Sequence, residues 1–334
     1  MSRNADRERD RSMSMVTRKV QLTGSSTYTI SLPKDWAREH GIEPGMQLTL
    51  CPGHDGELVV DAGQTEGGPS PTLDLGPIPD DAVGDVIRSL YTVGADRFTL
   101  SASEALSGST RRAIGDATSA HTGLEVTRET ESTVELSTPL DAAELGIERT
   151  LVQLQYVALS MQHDATTALA DGDADLGAQV VERRDDARRK YDLVSRSFQR
   201  SLTGLEELHG LDLGRPRLFD YFRAASRLDR VADEARRVAV AVERDEPAGG
   251  VDASAETARR GRNLVDDAVE ALLDADDAVR AFEVKRSCAD LRESLDPNAA
   301  DDPSARLAVE SIRTTAACAG DVAARAMRAS LRDR

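Results

Sequence analysis

The chain has 334 residues, more than one ordinary core requires, so two or three domains are expected. Its formal charge is −17, from 59 acidic and 42 basic residues, and only four of the basic residues are lysines: Lys19, Lys34, Lys190 and Lys285. No run of 18 apolar residues and no charged, apolar, small-residue leader is present, which argues against a spanning helix or a secretory signal and leads us to expect a cytoplasmic protein. The three cysteines, Cys51, Cys288 and Cys318, share no ligand-like spacing, which argues against a disulfide framework or a zinc ribbon. Residues 1–60 hold eight basic and eight acidic side chains, so the acidity lies behind them. Excess carboxylate with little lysine reads as adaptation to high salt and says little about partners.

Residues 1–15, MSRNADRERDRSMSM, carry mixed charge and almost no apolar content, so a disordered arm is expected, with a DNA-gripping arm as the alternative. Residues 16–63 read as a complete small module. Apolar and polar residues alternate over 18–22 and 28–32 around a turn containing Gly24, the pattern of two half-buried strands. Pro33 suits a first helical position, PKDWAREH supplies about two turns, and Gly41 is placed as a left-handed terminator. A second hairpin follows over 47–51 and 57–61, with Asp55-Gly56 in its loop. Four short strands and a two-turn helix bury too little apolar surface to stand alone, so this module is expected to dimerise.

The residues Lys19, Val20, Gly24, Ser25, Ser26, Tyr28, Ile30, Leu32, Pro33 and Trp36, continued by Gly41, Ile42, Gly45, Leu48, Leu50 and Leu58, give the segment a resemblance. It resembles the AbrB/SpoVT, or MazE-like, DNA-binding domain, in which two chains interleave hairpins into one swapped-hairpin β-barrel. The resemblance implies a homodimer on double-stranded DNA. Cations left exposed by the barrel would make the contacts: Arg18 and Lys19 opening the first strand, and Lys34 and Arg38 at i and i+4 on the helix. Ser25 and Ser26 in the turn could donate to phosphate. An ion pair of Arg38 with Asp35 is the competing reading for that residue, and Trp36 is expected to plug the core.

Residues 64–71 form a linker by composition, and 72–138 a small α/β unit. Helical spacing runs through 80–94 and, more weakly, 109–121; strands are expected over 97–101, 124–127 and 133–136. No phosphate-cradling glycine loop and no catalytic constellation occurs there, so packing or dimer spacing is its expected role. The five histidines lie apart from any serine or cysteine with a triad context, and the protein is not expected to be an enzyme.

From residue 139 six amphipathic runs follow: 142–170, 174–208, 217–243, 253–274, 276–295 and 304–331. A long break after the third suggests two three-helix bundles in tandem, over 139–246 and 250–334. The fold class is thus multidomain α+β: barrel, α/β unit, all-α bundles. In the third run Leu218, Phe222, Ala225, Leu228, Ala232, Ala235, Ala239 and Val242 make a core stripe, and Asp229 and Asp233 lie beside it four residues apart. Like charges so placed cost about 0.2 to 0.5 kcal/mol unless a cation neutralises them, and carboxylates suit a hard divalent ion.

The run Asp229-Arg-Val-Ala-Asp233-Glu-Ala235 resembles the acidic motif of the PhoU family, which has two three-helix bundles, and the whole order is similar to archaeal PhoU-like proteins with an AbrB-type front end. The resemblance places Glu182, Asp185 and Asp186 at the acidic positions of the facing helix and aligns Asp321 with the end of a second motif, with Ala317 where its first acid belongs. It implies a divalent or transition metal on these carboxylates. Arg184, Arg188 and Lys190 depart from the pattern, and the competing reading is a solvated face with Asp233 paired to Arg237 and Glu234 to Arg230. The expected function is a phosphate-uptake regulator that binds promoter DNA through its front barrel, with the phosphate ABC transporter's ATPase subunit as a further partner. The alternative is an adaptor that gates that transporter by protein contact, its barrel serving only dimerisation.

Overall fold

A computed structural model describes residues 16–24, 26–52, 56–61, 70–139, 146–203, 213–242, 252–275, 277–299 and 302–332. The chain divides into two compact units, Met1–Glu66 and Gly67–Arg334. The arm over 1–15, most of the linker over 64–71 and the breaks between helical runs at 204–212 and 243–251 lie outside the described residues.

The first unit holds two antiparallel hairpins and one short helix. Strands β1 (Gln21–Thr23) and β2 (Thr27–Thr29) pair with Leu22 opposite Tyr28, and β3 (Thr49–Pro52) and β4 (Leu58–Asp61) with Leu50 opposite Val60. Helix α1 (Lys34–Glu39) starts behind Pro33 and stops where Gly41 turns left-handed at φ +61°, as its side-chain-free backbone permits. None of its residues is buried. The hairpins form separate sheets in one chain, and Trp36, expected as a core plug, is half-buried with its ring 4.9 Å from that of His40.

The second unit begins with a four-stranded sheet in the order β5, β6, β8, β7. Strand β5 (Thr72–Asp74) runs parallel to β6 (Arg97–Ser101), and β8 (Thr133–Ser137) is antiparallel both to β6 and to β7 (Glu125–Glu129). Helices α2 (Val83–Thr92) and α3 (Gly108–Ala120) close a core of Leu75, Val83, Ile87, Tyr91, Phe98 and Leu100. Phe98, Leu100, Val134 and Leu136 are buried while their neighbours are not, which is the period-two burial of a sheet covered on one face.

The remainder is helical: α4 (Ile147–Asp171), α5 (Ala174–Glu182), α6 (Arg184–Thr203), α7 (Arg215–Val242), α8 (Asp252–Asp274), α9 (Ala278–Glu293) and α10 (Pro303–Arg332). Several starts have a local cause. The Asp173 side chain accepts the Leu176 N–H, and Asp277 accepts from Val279 and Arg280, satisfying helix-start donors that otherwise lack partners. The run expected as one helix over 174–208 is broken at Arg183, whose guanidinium reaches back to Ser160 and Asp164 of α4. One hydrophobic core joins α4 to α10, from Ile147 through Leu228 and Val269 to Ala329. The expected boundary between tandem bundles is therefore not a boundary of the core. Helix α7 passes through its centre; Ala224, Ala225, Ala232, Ala235 and Ala239 are fully buried, and such small side chains let neighbouring helices approach closely.

Candidate functional site

The front module presents cations without carboxylate partners. Arg18, Lys19, Lys34 and Arg38 are exposed, and none pairs with an acidic residue among the described ones; the ion pair of Arg38 with Asp35 does not form. Arg18 donates only to the neighbouring Thr17 carbonyl at 3.2 Å. Ser26 is exposed in the β1–β2 turn, and Ser25 lies outside the described residues. Alongside these charges Val20, Leu22, Ile30, Leu50 and Leu58 stand exposed, and Tyr28 is 77% exposed. A module in which none of the described residues is fully buried has no core within one chain.

The acidic pair on α7 is met by an arginine. Arg184 at the start of α6 donates from Nε to Asp233 Oδ1 at 2.7 Å and brings Nη2 to 2.8 Å from Asp229 Oδ1. The second contact has ion-pair distance but poor alignment, so Asp229 Oδ1 has no hydrogen bond although it is buried. Burial pushes the Asp229 carboxyl above the ordinary carboxylate range, Arg184 offsets part of that, and Asp233 adds to it. Arg184 is itself held firmly protonated: burial works against its charge, and the bond to Asp233 with the nearby Asp229 outweighs it. A guanidinium thus stands where a metal ion would neutralise the two carboxylates.

The other residues expected with them are dispersed. Glu182 and Asp185 are exposed, Asp186 pairs with Lys190 at 2.5 Å, and Asp321 pairs with Arg227 at 2.9 Å on the far helix α10. Among the described residues no group of three His, Cys, Asp or Glu side chains is arranged to hold a metal. These residues do not fit the implied ion, because the donor set is scattered and its centre is filled by Arg184. Of the competing pairs, Glu234 does meet Arg230, at 2.6 Å, while Asp233 goes to Arg184 instead of Arg237.

One cluster has no sequence signal beyond the apolar period of α6. Its outward face docks on the α/β unit through Asp192 and Arg196. Arg88 of α2 donates from Nε and Nη2 to the two Asp192 oxygens, each at 2.8 Å, and His121 Nε2 lies 3.6 Å away. Burial pushes the Asp192 carboxyl up, but the nearby His121 ring and the bonds from Arg88 more than offset it and hold it below the ordinary value. Arg196 is buried and donates to the carbonyls of Tyr91 and Ala95 and to Asp96 Oδ1. It caps the end of α2, where Gly94 turns at φ +91° with its missing Cβ 2.8 Å from Arg200 Cγ. A carbonyl-lined socket for an arginine over 100 residues away cannot be read from local spacing.

Two hairpins around a short helix, followed by an α/β unit and a helical body with one acidic pair, define a small β module fused to a helical-bundle domain. The family comparisons agree. Residues 151–242 match the PhoU domain, and residues 21–62 match the family described as antidote-toxin recognition MazE, bacterial antitoxin. The architecture is therefore a PhoU domain over residues 151–242 behind a MazE/AbrB-like segment over 21–62. No curated protein matches it. Lys34 and Arg38 fall within the MazE match and Arg18 and Lys19 just before it; the PhoU match includes Glu182, Arg184, Asp229 and Asp233 and ends before Asp321.

Proposed function

We propose that the protein is a phosphate-linked transcription regulator: two front modules join into one barrel that holds promoter DNA, and the helical body relays phosphate status to it. The observation that carries this reading is the coincidence, on one coreless module, of unburied Val20, Leu22, Tyr28 and Leu50 with unpaired Arg18, Lys19, Lys34 and Arg38. The apolar set needs a second copy, and the cations need a polyanion. Phosphate contacts of this kind position a duplex; sequence choice would come from base-edge contacts. The body requires no catalysis in this scheme.

A second reading draws on the charge of −17 and on a front-module family described by toxin recognition, which is protein contact. In it the chain is an adaptor that gates a transporter's ATPase subunit, with the barrel serving only dimerisation. Promoter fragments titrated into the full chain and into a chain lacking residues 1–63, across a salt series, separate the two. Specific binding confined to the full chain supports regulation at DNA; equal binding by both, or none, removes that reading.

A further inference from the structure

In a chain with 59 acidic and 42 basic residues, a surface cleft is expected to be acidic. The cleft between α7, α9 and α10 is not. It encloses about 580 Å³, within the range of small-molecule sites, and gathers five arginines against Glu234, Glu310 and Asp321. The formal excess is two positive charges.

The carboxylates are arranged as supports. Glu234 is 2% exposed and lies beneath Arg230, at 2.6 Å, and Arg237, at 3.4 Å. Arg237 also reaches Glu310 at 3.2 Å, and Asp321 holds Arg227 at 2.9 Å. These pairs fix guanidinium groups at the cleft wall while leaving Arg230 and Arg237 more than half exposed. The remaining two charges are uncancelled. Arg313 donates to the Leu295 carbonyl, a neutral partner, and Arg292 has no hydrogen bond or ion pair among the described residues.

Several guanidinium forks around one cavity match the paired oxygens of phosphate groups, which accept two parallel N–H bonds. The rest of the lining narrows the ligand. Thr314 supplies a hydroxyl, Ala317 is apolar, and burial pushes the Cys318 thiol up to about 11, so it stays neutral. Among the described residues no aromatic side chain lines the cleft to stack on a base.

We propose that this cleft is a binding site for an inorganic oligophosphate, from orthophosphate to short linear chains, held by Arg230, Arg237, Arg292 and Arg313. The assignment rests on the reading of the helical body as phosphate-responsive and gives that response its ligand class. It is independent of the DNA half of the function.

Calorimetric titration of the full chain with orthophosphate, pyrophosphate, tripolyphosphate and ATP at about 0.15 M ionic strength tests it. Binding should tighten with chain length. Arg230→Gln with Arg292→Gln should weaken tripolyphosphate by about tenfold or more in the folded variant. Should that double variant misfold, Arg292→Gln alone, a change at an exposed and unpartnered residue, should still weaken it severalfold; Arg128→Gln on the distant sheet should not. No binding of any phosphate, equal binding of sulfate at matched ionic strength, or unchanged affinity in the folded Arg292→Gln variant overturns the site. ATP binding far tighter than tripolyphosphate overturns the inorganic assignment. Loss of promoter binding with oligophosphate binding intact counts against the DNA reading alone.

Discussion

Arg88 and Asp192 form a two-pronged ion pair, both bonds 2.8 Å, across 104 positions of chain. The Asp192 side chain is 2% exposed and that of Arg88 30%, so the pair is desolvated on one side only. It ties α2 of the α/β unit to α6 of the helical body, next to the socket filled by Arg196. Removing one member of such a pair leaves the other without its counter-charge, which costs more than the pair contributes.

Asp192→Ala should destabilise the second unit by about 3 kcal/mol in urea unfolding at neutral pH. Replacing both partners, with Arg88→Met and Asp192→Leu, should recover at least half of that loss. A double variant as unstable as the sum of the two singles would show that the pair has no coupling of its own.

The same carboxylate sets an acid dependence. Because the folded state holds Asp192 below its ordinary value, the stabilisation is fully present above the unfolded pKa of about 3.9 and is lost as pH falls through the lower folded value. Asp229 has the opposite sign: its raised folded value means ionisation costs stability, and acidification toward about pH 4 returns it. The stability gap between wild type and Asp192→Asn should therefore hold from pH 7 to about 5 and narrow below about 4. A gap independent of pH over that range would refute the assignment.

Arg184→Ala should cost about 3 kcal/mol at pH 7, because it leaves Asp229 and Asp233 facing each other with no counter-charge. The cost should shrink as pH falls, because Asp229, held above the ordinary carboxylate range, takes up a proton. Millimolar Mg²⁺ or Mn²⁺ should raise the melting temperature of this variant and leave wild type unmoved. An equal metal response in both chains would mean that the guanidinium does not occupy the cation position.

Leu22 and Tyr28 face each other across β1 and β2 with no cover. If they form the seam between two copies, Leu22→Ser should weaken dimerisation by about a hundredfold or more, since one large aliphatic side chain is lost from each copy. Analytical ultracentrifugation reads this directly, and a full chain that sediments as a monomer throughout would remove the barrel from the account.

Arg18→Ala with Lys19→Ala, which removes four cations from a dimer, should weaken all DNA sequences alike and lower the slope of log affinity against log salt by about four. A change in sequence preference instead would place these residues at base edges.

Much of this architecture was legible because its causes are local. Pro33 and Gly41 mark the ends of α1, Asp277 the start of α9, and the alternation around Phe98 and Val134 the sheet. The arginines at 184 and 188 stand out in the sequence as departures from the acidic pattern, but that Arg184 meets Asp229 and Asp233 is seen only in the fold. What remained hidden depends on distant chain. The docking of Asp192 and Arg196 joins segments about 100 residues apart, and the break at Arg183 arises from a side chain drawn to α4, with no proline or glycine to announce it. Nor does the sequence show that arginines from three helices converge on one cleft, since each alone reads as surface charge.

The single apolar interior shared by α4 through α10 ties the fate of one half of the helical body to the other. A stop codon after Val242 would not release a smaller working protein; it would bare the flank of α7 and deliver a sticky fragment to proteases.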